Sequence, residues 1–101
     1  MVDLPKDIEN KIDRIFAVTE RAEIKRLLLD LWSRNLNVGA DQLARSILYL
    51  SDGNLDKLRT IFEKEFYGDP RDVIMMAEEK AGNPKHYFII SFDEIDRKVK
   101  N

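Results

Sequence analysis

The sequence contains no cysteine and only one histidine, His86, among its 101 residues. The lack of cysteine excludes disulfide bonds and thiolate metal ligands, and it favours a cytoplasmic location. A lone histidine excludes metal centres that need two imidazole ligands. We therefore predict neither a thiolate-bound nor a paired-histidine metal.

Glycine is scarce, and its four copies, Gly39, Gly53, Gly68 and Gly82, are isolated from one another. This spacing excludes a glycine-rich loop for binding phosphate. No serine lies in a Gly-x-Ser-x-Gly nucleophile elbow, and a serine nucleophile would depend on His86 as its base. The sequence therefore predicts no cofactor, no catalytic residues and no enzymatic activity.

The chain also lacks a long apolar run and an excess of charge of one sign. Apolar stretches of a few residues exclude a membrane-spanning helix and predict no signal peptide. The 17 basic and 19 acidic residues give a net charge of −2. Proteins that bind the phosphate backbone usually carry a basic excess, so nucleic acid is an unfavoured partner.

What the chain does have is apolar residues at helical spacing. Its length and its 44% hydrophobic and 36% charged content predict one domain over residues 1–101. The spacing predicts an all-α fold, a compact bundle of five to six short helices. The expected helices cover residues 5–17, 20–34, 41–50, 55–67 and 70–81, and a sixth covers the last segment.

Two of these helices have the widest apolar surfaces. The helix over 20–34 carries six large apolar residues, and the helix over 70–81 is apolar nearly all round at Val73–Ala77. A wide apolar surface needs neighbours on more than one side. We therefore predict that these two helices lie innermost.

A turn signal is used twice, at Gly68-Asp69-Pro70 and at Gly82-Asn83-Pro84. Each copy combines a glycine suited to a helix end, a side chain suited to the N-cap and a proline at the first helical position. The signal predicts a helix start at Pro70. Its second copy favours another at Pro84.

The segment after Pro84 allows two interpretations. Phe88, Phe92, Ile95 and Val99 repeat at helical spacing. However, the aromatic and β-branched residues around Phe88 are also typical of a strand. We favour a helix, with one short strand at about 86–92 as the alternative.

The turn at Asp52-Gly53-Asn54 resembles the start of a calcium loop, because Asp52, Asn54, Asp56 and Glu63 occupy ligand positions one, three, five and twelve. Position six requires glycine for a sharp turn but holds Lys57, whose ammonium group would repel a cation. An ordinary turn explains the same residues, so calcium is an unfavoured ligand.

Residues 42–61 could form a helix-turn-helix, with Lys57 and Arg59 early in its second helix. This reading makes a nucleic-acid-binding regulator the alternative function. It requires Lys57 and Arg59 to form one continuous positive surface with Arg45. A plain helical hairpin explains the same pattern.

Aromatic residues exceed what a small core needs, and surplus aromatics at a core edge are typical of protein interfaces. The interaction surface that we predict consists of Trp32, Tyr67, Tyr87, Phe88 and Phe92. The function that we favour is a non-catalytic, small intracellular protein that acts through protein–protein interaction, as a possible homodimer or with another protein.

Overall fold

A computed structural model describes residues 4–34, 38–67, 69–82, 88, 91, 92 and 94, with the backbone alone for residues 64–67. Within these residues the fold is all-α and contains no strand, which confirms the predicted class. The five α-helices are α1 (Lys6–Ile15), α2 (Val18–Leu29), α3 (Ala40–Ser51), α4 (Leu55–Tyr67) and α5 (Pro70–Ala81). They form a compact bundle with a Cα radius of gyration of 12.5 Å.

Helix α3 lies at the centre of the bundle, so the prediction that the second and fifth helices lie innermost was wrong. Helices α1, α4 and α5 all pack against α3. Six consecutive residues of α3, from Leu43 to Leu48, are buried. Arg45 and Ser46 in this run are polar residues that are buried together with their apolar neighbours. Helices α2 and α5 each meet the core along one side only.

The two helices with clear capping signals begin where the sequence places them. In α5, the Asp69 carboxylate accepts a hydrogen bond of 3.0 Å from the Arg71 amide, and Pro70 follows as the first helical residue. The helix ends at Ala81, and Gly82 follows as its C-cap with a φ of 68°. In α4, the Asn54 side chain accepts a hydrogen bond of 2.9 Å from the Lys57 amide.

Helix α2 differs from its prediction at both ends. The predicted range was 20–34, but the helix begins at Val18 after Ala17, which provides no side-chain cap. Instead, Arg21 of α2 donates hydrogen bonds to the carbonyl oxygens of Phe16 and Asp13, which holds the two helices together. The final turn, Asp30–Ser33, is a 3₁₀ helix, the tighter form that often ends an α-helix.

Few residues of the last segment are described. Phe88 is in 3₁₀ conformation and Phe92 is helical, so neither residue is in the strand that the alternative places at 86–92. Glu94 is also helical. The second turn signal is described only at Gly82. Its Asn83 and Pro84, and the expected helix over the rest of the segment, lie outside the described residues.

In the part of the chain that the structure describes, no helix combines the length and the apolar character needed to cross a membrane.

Candidate functional site

A buried ion pair joins the start of α1 to the centre of α3. The Arg45 guanidinium donates two hydrogen bonds to the Asp7 carboxylate, at 3.0 and 3.2 Å. It also donates a hydrogen bond of 3.0 Å to the Asp41 carboxylate. The Arg45 and Asp7 side chains are only 7% and 11% exposed. A charged arginine in this position needs these partners, because an unpaired buried charge is strongly unfavourable.

The same ion pair holds Phe88 and Phe92 against the core. Arg45 donates a hydrogen bond of 3.2 Å to the Phe88 carbonyl oxygen, and the Phe92 amide donates one of 2.9 Å to Asp7. Both phenylalanine side chains are fully buried. Their rings lie near Tyr49 and Lys11, at 5.2 Å from the Tyr49 ring and from the Lys11 ammonium group, respectively.

The predicted interaction surface requires exposed aromatic rings. The described residues of that surface are instead buried or partly buried. Phe88 and Phe92 are core residues, which corrects the expectation that their rings face a partner. Helical spacing put them on one face, and the core covers that face. Trp32 lies partly buried against the core, in the 3₁₀ turn. The Tyr67 side chain and all of Tyr87 lie outside the described residues, as does His86.

Opposing effects set the pKa of Asp7. Burial raises it, but hydrogen bonds from the Arg45 side chain and the Phe92 amide, together with the Arg45 charge, outweigh burial. The net pKa of Asp7 is therefore lower than its ordinary value of 3.8. The carboxylate is ionised at neutral pH, as its role as a hydrogen-bond acceptor requires.

The turn between α3 and α4 uses the residues that resemble a calcium loop for other contacts. The Asp52 carboxylate lies 2.6 Å from the Lys80 ammonium group and 3.0 Å from that of Lys57. These hydrogen bonds lower the pKa of Asp52, with the bond from Lys80 having the larger effect. Asn54 caps α4, and Glu63 lies within α4, so the oxygen atoms do not converge on one point.

A pocket of about 450 Å³ opens beside this turn. Its lining consists of Lys11 and Ile15 from α1, Leu48 and Tyr49 from α3, Asp52 and Gly53 from the turn, and Lys80 from α5. The Lys80 ammonium group also lies 5.3 Å from the centre of the Tyr49 ring. The lining therefore combines apolar side chains with an ion pair between Asp52 and Lys80.

Acidic side chains also contact the cations of the predicted helix-turn-helix. Arg59 donates two hydrogen bonds of 2.8 Å to Glu23 of α2, and Lys57 contacts Asp52. Arg45 is buried within the bundle. The three cations consequently do not form the continuous positive surface that the nucleic-acid alternative requires.

The outer face of α5 is the largest departure from the sequence prediction. Met75 and Met76 are 55% and 42% exposed, although the sequence predicted a buried helix at this point. Val73, Ile74 and Ala77 of the same helix are buried. Apolar residues thus cover both sides of α5, but only one side meets the core.

Two carboxylates bracket the exposed methionines. Asp72 and Glu79 lie one turn before and one turn after the pair, at spacings of three or four residues from each methionine, and both are exposed. We call Asp72, Met75, Met76 and Glu79 the methionine face. The spacing is the signal that the sequence offers for this face. Acidic residues favour solvent, so two acids one turn before and one turn after the methionines indicate a solvent-exposed side of the helix.

The basic residues of α5 already have acidic partners elsewhere. Arg71 contacts Asp69, at 2.6 Å, and Lys80 contacts Asp52. By contrast, among the described residues neither Asp72 nor Glu79 has a side-chain hydrogen bond or ion pair, and Asp72 interacts with the Arg71 charge only through space. The methionine face is therefore apolar at its centre and negatively charged at both ends.

The described part of the chain is thus a small all-α domain with an acidic, methionine-containing face on its fifth helix. Comparison of the chain with protein-family models, curated proteins and solved structures finds no match.

Proposed function

We propose that this chain is a non-catalytic cytoplasmic protein that acts through protein–protein interaction, and that the methionine face of α5 is its contact surface. The observation that carries the proposal is the exposure of Met75 and Met76, at 55% and 42%, side by side on a helix whose other side forms the core. Two large apolar side chains in water are a cost that burial against a partner removes.

Methionine suits such a contact for physical reasons. Its unbranched side chain and polarisable sulfur adapt to surfaces of different shape, and methionine is enriched at protein interfaces. Full burial of one methionine side chain is worth roughly 1.5–3 kcal/mol. Two adjacent methionines therefore provide an apolar centre, and the surrounding charges provide specificity.

The test compares one double variant and one single variant that remove exposed apolar surface at different places. Purified protein is immobilised and incubated with extract of the native host, and the captured proteins are quantified by mass spectrometry. One variant is Met75→Ser with Met76→Ser. The matched control is Val18→Ser, because Val18 is also apolar and is 73% exposed, but lies at the start of α2.

We expect at least one captured protein to fall by about tenfold with the methionine variant, as for the loss of a central apolar contact. The same protein should remain with the Val18 variant, and its purified form should bind directly. Unchanged capture by both variants would contradict the proposal. Thermal unfolding checks that the methionine variant is folded, as expected for two exposed positions.

A further inference from the structure

The charges around Met75 and Met76 restrict what can bind there. Asp72 and Glu79 lie seven residues apart on α5, which corresponds to about 10 Å along the helix axis. The carboxylates thus stand at the two ends of the apolar centre. A partner that covers the methionines must place its own groups against both carboxylates.

A second copy of this chain meets that requirement badly. In an antiparallel pair of α5 helices, the two-fold axis passes between Met75 and Met76 and is perpendicular to the helices. Residues that lie opposite each other then have numbers that sum to 151, so Asp72 of one copy lies opposite Glu79 of the other. The same axis brings Arg71 to Lys80. A parallel two-fold arrangement brings each residue opposite itself, so Asp72 meets Asp72. Both arrangements place like charges together.

A partner with basic groups meets the requirement well. Arg71 and Lys80 of α5 already contact Asp69 and Asp52. Asp72 and Glu79 are therefore the charged groups of the methionine face that an incoming cation would meet. Two lysine or arginine residues spaced seven positions apart on a helix match the separation of the carboxylates, with apolar residues between them facing the methionines.

Resting on the proposed function, we propose that the methionine face binds a cationic amphipathic helix of another protein, with basic residues two turns apart, and does not bind a second copy of this chain. Charge complementarity favours this occupant because each end of the face presents one carboxylate.

The test uses two synthetic helical peptides of leucine and alanine. One carries two lysines seven positions apart, and the matched peptide carries two glutamates at the same positions. The methyl signals of Met75 and Met76 are followed by NMR during titration of the full chain. We expect saturable shifts with the lysine peptide, and about tenfold weaker binding of the glutamate peptide.

A charge-reversal variant tests the same point from the protein side. In the double variant Asp72→Lys with Glu79→Lys, the preference should reverse, so that the glutamate peptide binds more tightly. Both positions are exposed, and the amide spectrum checks that the fold is retained. Equal binding of both peptides to both proteins, or no shift of either methionine signal, would overturn the inference.

Sedimentation equilibrium gives a separate outcome. We expect the wild-type chain to be monomeric. Self-association that is lost in the Met75→Ser, Met76→Ser variant would overturn the cationic-helix inference, because a second copy would then be the occupant. The proposed function would survive that result, since its own test is the capture experiment above.

Discussion

Two aspartates make similar contacts in very different surroundings. Asp7 accepts hydrogen bonds from the Arg45 guanidinium and the Phe92 amide, and its side chain is 11% exposed. Asp52 accepts hydrogen bonds from Lys57 and Lys80, and its side chain is 54% exposed. Both carboxyl groups have a lowered pKa. What separates them is the solvent around each ion pair.

Burial decides how much the fold depends on each contact. Water and salt screen the Asp52 contacts, and an exposed ion pair contributes little to stability. The Asp7 contacts are shielded, and they join positions separated by 38 and 85 residues along the chain. The buried pair therefore holds α1, α3 and Phe92 together, whereas the exposed contacts of Asp52 with Lys57 and Lys80 join the α3–α4 turn to α5 only weakly.

The largest expected effect comes from removing one partner of the buried pair. Arg45→Ala leaves the Asp7 carboxylate buried without its main partner, and it removes the hydrogen bond to the Phe88 carbonyl. We expect a loss of about 3–5 kcal/mol in the free energy of unfolding, measured by urea denaturation. The double variant Asp7→Leu with Arg45→Met should recover part of this loss, because it leaves no buried charge. A loss below about 1 kcal/mol for Arg45→Ala would show that water reaches the pair.

The second prediction concerns acid. The pKa of Asp7 in the folded protein is lower than 3.8, its ordinary value, so ionised Asp7 stabilises the fold above about pH 4. This contribution is lost as the pH falls through the folded pKa. We expect Asp7→Asn to be less stable than the wild type at pH 7, with the difference shrinking below pH 4. Urea denaturation from pH 7 to pH 2.5 measures it.

Asp52→Asn provides the control for this acid series. The pKa of Asp52 is also lowered, so its contribution has the same sign and is lost in the same direction. Because Asp52 is exposed, the difference from the wild type should be smaller at every pH. Equal pH dependence for the two variants would contradict the role that we assign to burial.

The third prediction tests how closely the turn packs. Gly53 has a φ of 76°, and a Cβ atom there would lie 2.8 Å from the Ile15 carbonyl oxygen. Gly53→Ala should therefore cost about 1–3 kcal/mol in unfolding free energy, from backbone strain and from this contact. Gly82→Ala is the matched control, because Gly82 has a φ of 68° but no atom within 4 Å of a Cβ. If the Gly82 variant is as unstable as the Gly53 variant, the loss of stability comes from the positive φ alone and not from the contact with Ile15.

The smallest effect is expected for the exposed contacts of Asp52 with Lys57 and Lys80. Lys80→Ala leaves Lys57 in contact with Asp52, so we expect a loss of less than about 1 kcal/mol in thermal or urea unfolding. Adding 0.5 M salt should reduce the difference from the wild type further. A loss comparable to that of Arg45→Ala would remove the contrast between the two aspartates.

Local signals predicted the helices best. The bounds of α4 and α5 agree with the sequence prediction, because Asn54, Asp69 and Gly82 act on backbone groups within a few residues. The start of α2 was predicted less well. Its contacts from Arg21 reach back to Asp13 and Phe16 in the preceding helix, and the sequence gives no cue to that pairing.

The candidate site was harder to predict than the helices. Phe88 and Phe92 were candidates for an exposed surface, but both are in the core, whereas Met75 was expected to be buried and is exposed. Periodicity identifies residues that share a helix face. It does not identify the neighbour that covers that face, because the covering residues come from distant parts of the chain.

The sequence by itself determined the all-α class and the caps of α4 and α5, because apolar spacing and capping side chains act within one or two turns. Only the tertiary structure decided that α3 is central, that Asp7 and Arg45 meet inside the bundle, and that the methionines of α5 face water. These features depend on packing between distant segments. Burial then set the energetic importance of each contact.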